Sequence, residues 1–382
     1  MNQPKTIFLY PDYYDATTAT IRILSSSKDL FNGLTFFYWA KTGVPRSNKD
    51  KLFDNIDIHA FTKTARPRSL GVLFLFVSFQ FWLLKNIIKS KPQVINSFML
   101  YTIFPALIYK YCFNWKCKVI YDPRDYVAVC YDVNKVIIFF IQLIDNIVMQ
   151  LADFVIFPDN QYFSYYGFFK LRKSKYYILP NSTEDQYDLI STENIYTKYG
   201  IPQGTFIVPL IGYFSETRGK KLFFEIIKEN VPNVHFVVAG DFRDETDVNF
   251  FKSNKNVSFL GKVSYIESLY IMKNATFTPL LYDPVSLNNR YAYPTKYYDS
   301  LMVGTPLLTS FGQIDLWNSI QEFQIGYGIE YNNTNEFKHI LLNLSDSEFD
   351  RQKIRKLFIE KYDFNLFRDG LRNVYGQFLA KK

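Results

Sequence analysis

Short apolar runs recur along this chain, each stopping at glycine, proline or aspartate and giving way to a helix-compatible stretch, and they constrain its fold more than any other feature. Thr6–Tyr10 reads TIFLY and meets Pro11-Asp12; residues 118–121 read KVIY and meet Asp122-Pro123. Phe206–Ile211 reads FIVPLI and ends at Gly212, and Val234–Ala239 reads VHFVVA and ends at Gly240-Asp241. Apolar runs this short, bounded by turn residues, read as strands buried on both faces. Alternating with helices, they predict an α/β chain built on doubly wound parallel sheets.

The pattern occurs twice. Strands are expected at 6–10, 34–39, 56–61, 94–96, 118–121, 154–157 and 176–179, with helices near 16–24, 70–89, 101–113, 136–151 and 161–169. A polar stretch at 181–191, NSTEDQYDLIS, reads as a linker. Strands follow at 206–211, 234–239, 257–260 and 276–280, with helices near 218–229 and 265–273, a loop at 281–293 and helices to the end. Two Rossmann-like domains are therefore expected, 1–182 and 191–363, with a last helix at 364–382 packing back on the first. The length of 382 residues suits two domains. The halves match in pattern, without a short sequence repeat.

Composition narrows the function. A net charge of +8 fits an anionic small molecule or an anionic membrane surface. No dense Lys/Arg block is interleaved with stacking aromatics, so nucleic acid is not expected as a partner. Cys112, Cys117 and Cys130 match no zinc spacing, and His59, His235 and His339 are scattered, so no metal site is expected. The N-terminal MNQPKTIFLYPDYY lacks the long apolar core of a signal peptide, which implies a cytoplasmic protein. Two stretches are unusually apolar: 70–88, with basic residues on both sides (Arg66, Arg68, Lys85, Lys89, Lys91), and 136–151. The first reads as a half-buried helix whose outer face touches a membrane, with a buried core helix or a true span as alternatives.

Ligands of open α/β sheets bind beyond the carboxyl ends of strands, and six segments there carry chemistry. Gly212, Tyr213, Arg218, Gly219 and Lys220 form a strand–loop–helix junction suited to a diphosphate, with Ser215 or Thr217 as candidate caps. Gly240-Asp241 and Gly261-Lys262 leave room for a flat ligand such as a nucleobase. The polar loop 283–290, DPVSLNNR, has the character of a functional loop. It feeds 293–306, YPTKYYDSLMVGTP, where Pro294 and Thr295 start a helix, Lys296 offers a charge, Asp299 offers hydrogen-bond acceptors and Gly304 marks the stop. In the first half, Asp122, Arg124 and Asp125 could meet a second substrate or form a structural ion pair.

Taken together these segments resemble family 4 of the nucleotide-sugar glycosyltransferases, which have the GT-B fold. IGYFSETRG resembles the family's Gly-Arg-Leu…Lys-Gly loop, VHFVVAGDF its strand ending in Gly-x-Gly, and VSFLGKVSYIESLYIMKNATFTPLLY its run of strand, glycine, helix and strand. PTKYYDSLMVGTP resembles the family's Pro-x-Lys-x-x-Glu-x-x-x-x-Gly-x-Pro segment, and LPNS its Pro-Asn-Gly. In the first half, YDPRDY and LADFVIFPDN resemble the acceptor-side Asp motif and the Ala-Asp strand.

The resemblance implies that Arg218 meets the donor diphosphate and Asp299 the ribose. Tyr213 stands where the family has an arginine, with Lys296 or Lys220 as the substitute charge. Tyr291 stands where a sugar-binding glutamate is expected, with Asn288, Asn289 or Asp283 as candidate replacements. The implied enzyme is a retaining glycosyltransferase that needs no metal or other cofactor. It would move a sugar from a nucleotide diphosphate donor, a UDP-sugar being favoured, to a glycan or polyprenyl-diphosphate-linked acceptor docked near Asp122 and Asp125. Bacterial capsule, exopolysaccharide or O-antigen synthesis is the implied setting, on the inner face of the cell membrane, with residues 70–89 and 136–151 against the lipid. A nucleotide-sugar 2-epimerase on the same fold and a non-catalytic sugar-nucleotide-binding subunit are the alternatives.

Overall fold

A computed structural model describes residues 5–12, 18–31, 33–43, 56–64, 70–125, 127–129, 133–159, 175–242, 244–345 and 348–379. The helix expected at 161–169 lies outside the described residues, as do Arg66, Arg68 and Cys130. The chain divides into two compact units, Met1–Pro180 with Leu366–Lys382, and Asn181–Asn365.

The first unit is a parallel sheet of β1 (Thr6–Tyr10), β2 (Leu34–Trp39), β3 (Ile56–Phe61), β4 (Val94–Phe98), β5 (Lys118–Asp122), β6 (Phe154–Phe157) and β7 (Tyr176–Ile178). The strands lie in the order β3-β2-β1-β4-β5-β6-β7. Every residue of β1, β2 and β4 is buried, as continuous apolar runs require of strands covered on both faces. The order reverses between β1 and β4. Because crossovers are right-handed, α1 (Thr18–Ser27) lies on one face of the sheet, and α2 (Leu70–Ser90), α3 (Leu100–Ile108) and α4 (Lys135–Leu151) lie on the other. The terminal helix Phe364–Leu379 joins α1. Arg372 pairs with Asp29 at 2.7 Å and donates to the Ser26 carbonyl, and Tyr375 stacks on Phe8 and donates to Asn96 Oδ1 at 3.1 Å.

α2 is half-buried. Phe79, Leu83 and Ile87 are fully enclosed, with Phe79 against Trp39 and Phe61 of the sheet, while Leu73, Phe74, Val77 and Phe81 face outward. A wholly buried core helix is thereby excluded. Gln80, out of place in so apolar a helix, has a specific partner. Pro105 inside α3 has no N–H for the Tyr101 carbonyl, and Gln80 Nε2 donates to that oxygen at 2.9 Å instead. α3 continues as one π-helical turn, Tyr109–Phe113.

The second unit contains α5 (Ile195–Tyr199), β8 (Phe206–Ile211), α6 (Lys220–Glu229), β9 (Val234–Ala239), α7 (Glu245–Ser253), β10 (Val257–Gly261), α8 (Tyr265–Lys273) and β11 (Thr278–Leu280). It continues with α9 (Leu287–Tyr291), α10 (Thr295–Val303), β12 (Leu307–Ser310), α11 (Ile314–Phe323), β13 (Gly326–Ile329), α12 (Thr334–Leu342) and α13 (Arg351–Lys361). Two parallel sheets, β10-β9-β8 and β11-β12-β13, meet where the Thr276 N–H donates to the Ile207 carbonyl at 2.9 Å. The strands thus run β10-β9-β8-β11-β12-β13, with the order reversing between β8 and β11. The stretch expected as a linker is part of this unit: Ser182 and Thr183 are buried and Ile190 lies in its core. The loop expected at 281–293 contains α9.

Candidate functional site

The reversal between β8 and β11 marks the place where an open parallel sheet binds its ligand. A pocket lies there. Gly212 and Tyr213 line it from the end of β8, Leu281 and Tyr282 from the end of β11, and Arg218 and Lys296 close it.

Glycines bring the strand ends together. Gly212 has φ 93° and donates its N–H to the Ala239 carbonyl at 2.8 Å. A Cβ on Gly240 would stand 2.2 Å from the Gly212 carbonyl oxygen. The space expected beside Gly240 for a flat ligand is therefore filled by backbone. Replacing Gly240 by alanine is expected to destabilise the fold by about 1–3 kcal/mol, as overpacking does, read as a lower melting temperature. An unchanged melting temperature would show that the two turns do not close as described. Gly261, in contrast, faces open space.

Beyond Gly212 the chain makes a short 3-10 turn, Glu216–Arg218. Neither Ser215 nor Thr217 caps α6: their hydroxyls meet each other at 3.2 Å, and Gly219, in the left-handed conformation (φ 72°), is the N-cap. The turn is pinned from two sides. Asp283 donates its N–H to the Thr217 carbonyl at 2.9 Å, and the Tyr331 hydroxyl accepts from Gly219 N–H and donates to the Glu216 carbonyl. This fixes Arg218, whose guanidinium sits 4.9 Å from the Tyr282 ring centre and 5.6 Å from that of Tyr213. Two aromatic faces hold the cation without neutralising it.

Lys296 enters from the start of α10. Its Cε and Nζ both lie 3.2 Å from the place a Gly212 Cβ would take, so the glycine is what admits the ammonium. Burial, reinforced by the nearby Arg218 charge and opposed by Asp299, pushes its pKa down to about 8. Pro294 stands at the N-cap of α10, Thr295 follows, and no side chain caps that helix. Two cations thus converge on one small pocket, Lys296 coming from the first turn of a helix that no side chain caps, an arrangement that suits a diphosphate.

Asp299, one turn further along α10, is buried and accepts a 2.6 Å hydrogen bond from the Tyr265 hydroxyl, which also reaches Thr183 Oγ1 at 3.3 Å. Lys220 is directed elsewhere, to Asp247 of α7 at 2.7 Å and to Glu216 of the 3-10 turn at 3.6 Å, so its charge is spent on those carboxylates. Asp241 and Lys262 are exposed after β9 and β10. In the loop to α9, Asp283 Oδ1 accepts from Val285 N–H and Asn289 Nδ2 donates to the Asp283 carbonyl, both at 2.9 Å. Tyr291 is half-buried.

In the first unit, Arg124 Nε meets Asp122 Oδ1 at 3.0 Å and its guanidinium lies 5.1 Å from the Phe98 ring centre. Arg124 takes a left-handed backbone (φ 63°) to do so. Burial pushes Asp122 up to about 6, against the pull of Arg124, and raises Asp125 as well. Here the structure contains the Asp–Arg pair that was one of the two sequence alternatives.

Sequence reasoning missed Tyr282, Tyr265, Tyr331 and Gln313. Tyr282 follows a strand as Tyr213 does, which was the available signal, but among 30 tyrosines it carries no distinguishing mark.

No family model and no curated protein sequence matches the chain. Solved structures resemble it along nearly its whole length. Sucrose-phosphate synthase from Thermosynechococcus elongatus superposes with a TM-score of 0.75 at 14% identity, covering 98% of this chain and 99% of that one. HepE of Anabaena, solved in complex with UDP, gives 0.68 at 14% identity over 98% and 100% of the two chains. WaaG, a glycosyltransferase involved in lipopolysaccharide biosynthesis, gives 0.65 at 12% identity over 97% and 100%. The fold is GT-B, with two Rossmann-like parallel-sheet units.

Proposed function

We propose that the protein is a glycosyltransferase that takes its sugar from a nucleotide diphosphate donor, with UDP-sugars favoured. The observation that carries this reading is the meeting of Arg218 and Lys296 at the β8–β11 switch point. HepE has been solved with UDP and with UDP-glucose, which supports a uridine donor.

In sugar transfer, negative charge grows on the departing diphosphate while the sugar becomes oxocarbenium-like. Arg218, the Lys296 ammonium and the start of α10 are preorganised to stabilise that charge, and burial strengthens them by excluding water. The reaction is retaining and needs no metal in this reading, with Asp299 on the ribose. The acceptor is a lipid-linked glycan of bacterial surface-polysaccharide synthesis, and the enzyme works as a peripheral protein on the inner face of the membrane. The layer of α2, α3 and α4 supports this placement. Phe74, Phe81, Trp115, Val136 and Phe140 are all more than half exposed, and the charges exposed beside them, Lys85, Lys89, Lys91, Lys116 and Lys135, are basic. α2 has the length and apolarity of a span, but Phe79, Leu83 and Ile87 tie it to the sheet.

A thermal-shift panel of UDP-, GDP-, dTDP- and CMP-sugars tests the donor reading, because a ligand that binds only the native state raises its stability by mass action. One nucleotide class is expected to raise the melting temperature of the wild-type chain, and Arg218→Ala is expected to lose that shift. A panel with no response would sink the transferase reading.

A further inference from the structure

Arg218 lies on the 3-10 turn after β8 and forms no ion pair with a carboxylate among the described residues. A free arginine on a loop samples many rotamers, and a ligand that needs one of them bears the cost of ordering it. Here two rings of the pocket do the ordering in advance. The guanidinium carbon sits 4.9 Å from the Tyr282 ring centre and 5.6 Å from that of Tyr213, both within reach of a cation–π contact. Such a contact neither neutralises the guanidinium nor occupies the paired N–H donors that a carboxylate would take.

The rings are held differently. The Tyr282 N–H donates to Gln313 Oε1 at 3.0 Å, and Gln313, wholly buried, also accepts from Thr309 Oγ1 of β12 at 3.0 Å. The next N–H, that of Asp283, donates to the Thr217 carbonyl at 2.9 Å. Tyr282 and Arg218 are therefore each one residue from the bond that ties their two loops together. Gly219 permits this approach, since a Cβ there would stand 3.2 Å from Leu281 Cβ and 3.1 Å from the Phe223 ring. Tyr213, in contrast, is 59% exposed and stands where the resemblance has an arginine. Exchanging that arginine for a ring removes one cation from the pocket and gives the cation that remains a second face to rest on.

We infer that Tyr282 is a positioning residue for the donor, acting with Tyr213 to hold Arg218 in the conformation that meets the diphosphate; this rests on the transferase reading. Calorimetric titration of UDP tests it in a double-mutant cycle, with Tyr282→Leu and Tyr282→Phe each made in the wild type and in Arg218→Ala. Tyr282→Leu is expected to weaken UDP about tenfold in the wild type, and to change it by less than about twofold once Arg218 is gone. Tyr282→Phe keeps the ring and is expected to stay close to the wild type in both backgrounds. Tyr213→Leu, at an exposed position and a longer distance, is expected to follow the same pattern with a smaller loss, and it carries the test if Tyr282→Leu does not fold. Equal losses with and without Arg218 would show rings that only support the pocket wall or touch the nucleotide themselves. No loss would show an arginine held by other means, and a phenylalanine variant as weak as the leucine one would assign the role to the hydroxyl. Each of these results overturns the inference while leaving the donor reading intact. A wild type with no affinity for UDP overturns the uridine donor reading itself, and the inference with it.

Discussion

Replacing Lys296 by methionine is expected to raise the melting temperature of the ligand-free protein at pH 7 and, in the same variant, to remove its stabilisation by the nucleotide donor. Both effects come from one half-buried cation. An ordinary lysine titrates near 10.4, whereas Lys296 in the fold is pushed down to about 8 by burial and by Arg218. Below about pH 8 it is charged in both states, and the fold carries the full cost of holding it. Between about 8 and about 10.4 the unfolded state binds more protons, so the stability of the ligand-free fold rises with pH across that window, by roughly 3 kcal/mol in all. Methionine fills similar space without the charge and should bring much of that gain at pH 7, several degrees in melting temperature.

The same variant loses the ammonium proposed to meet the diphosphate, and kcat/KM should fall by about 10²–10³, as it does when one donor to a developing charge is removed. In the wild type, donor affinity should be level below about pH 7 and weaken by up to tenfold per pH unit above about 8, as the free protein loses the proton that binding requires. A flat affinity profile from pH 7 to 9.5, or a methionine variant that keeps its donor response, would remove Lys296 from the site.

The second large effect concerns the apolar layer of the first unit. Phe74, Phe81 and Phe140 each expose more than half of their surface, against an expectation that large exposed apolar patches have a partner. Changing all three to glutamate should abolish binding to phosphatidylglycerol-containing vesicles. Each phenylalanine buried in lipid contributes about 1.5–3 kcal/mol, so the triple variant should bind at least a hundredfold more weakly. Added salt should weaken wild-type binding only in part, since Lys85, Lys89, Lys116 and Lys135 supply the screened share of the attraction. The nucleotide-induced thermal shift should survive the triple change, because the pocket belongs to the other unit. Equal vesicle binding by variant and wild type would rule out this layer as the membrane face.

The strands were legible because strands buried on both faces must be continuously apolar, and β1, β2 and β4 are buried throughout. The end of α10 was legible because few residues other than glycine accept the left-handed turn found at Gly304. Arg218 could be placed because it sits in the first turn after a strand, which topology alone directs to the binding edge. α9 escaped notice because five residues carry too little periodicity to mark a helix.

What the sequence determined by itself is the alternation of strand and helix, and hence which loops lie at the carboxyl ends of the strands. It could not choose between Lys220 and Lys296, which both follow a strand–loop junction. The tertiary structure does, by placing Asp247 of α7 against Lys220 and an open glycine, Gly212, against Lys296. Those partners lie on elements far apart in the chain and meet only through the packing of β8, β9 and β11. A charge paired across the fold is lost to the ligand, and a charge packed against bare backbone is available to it.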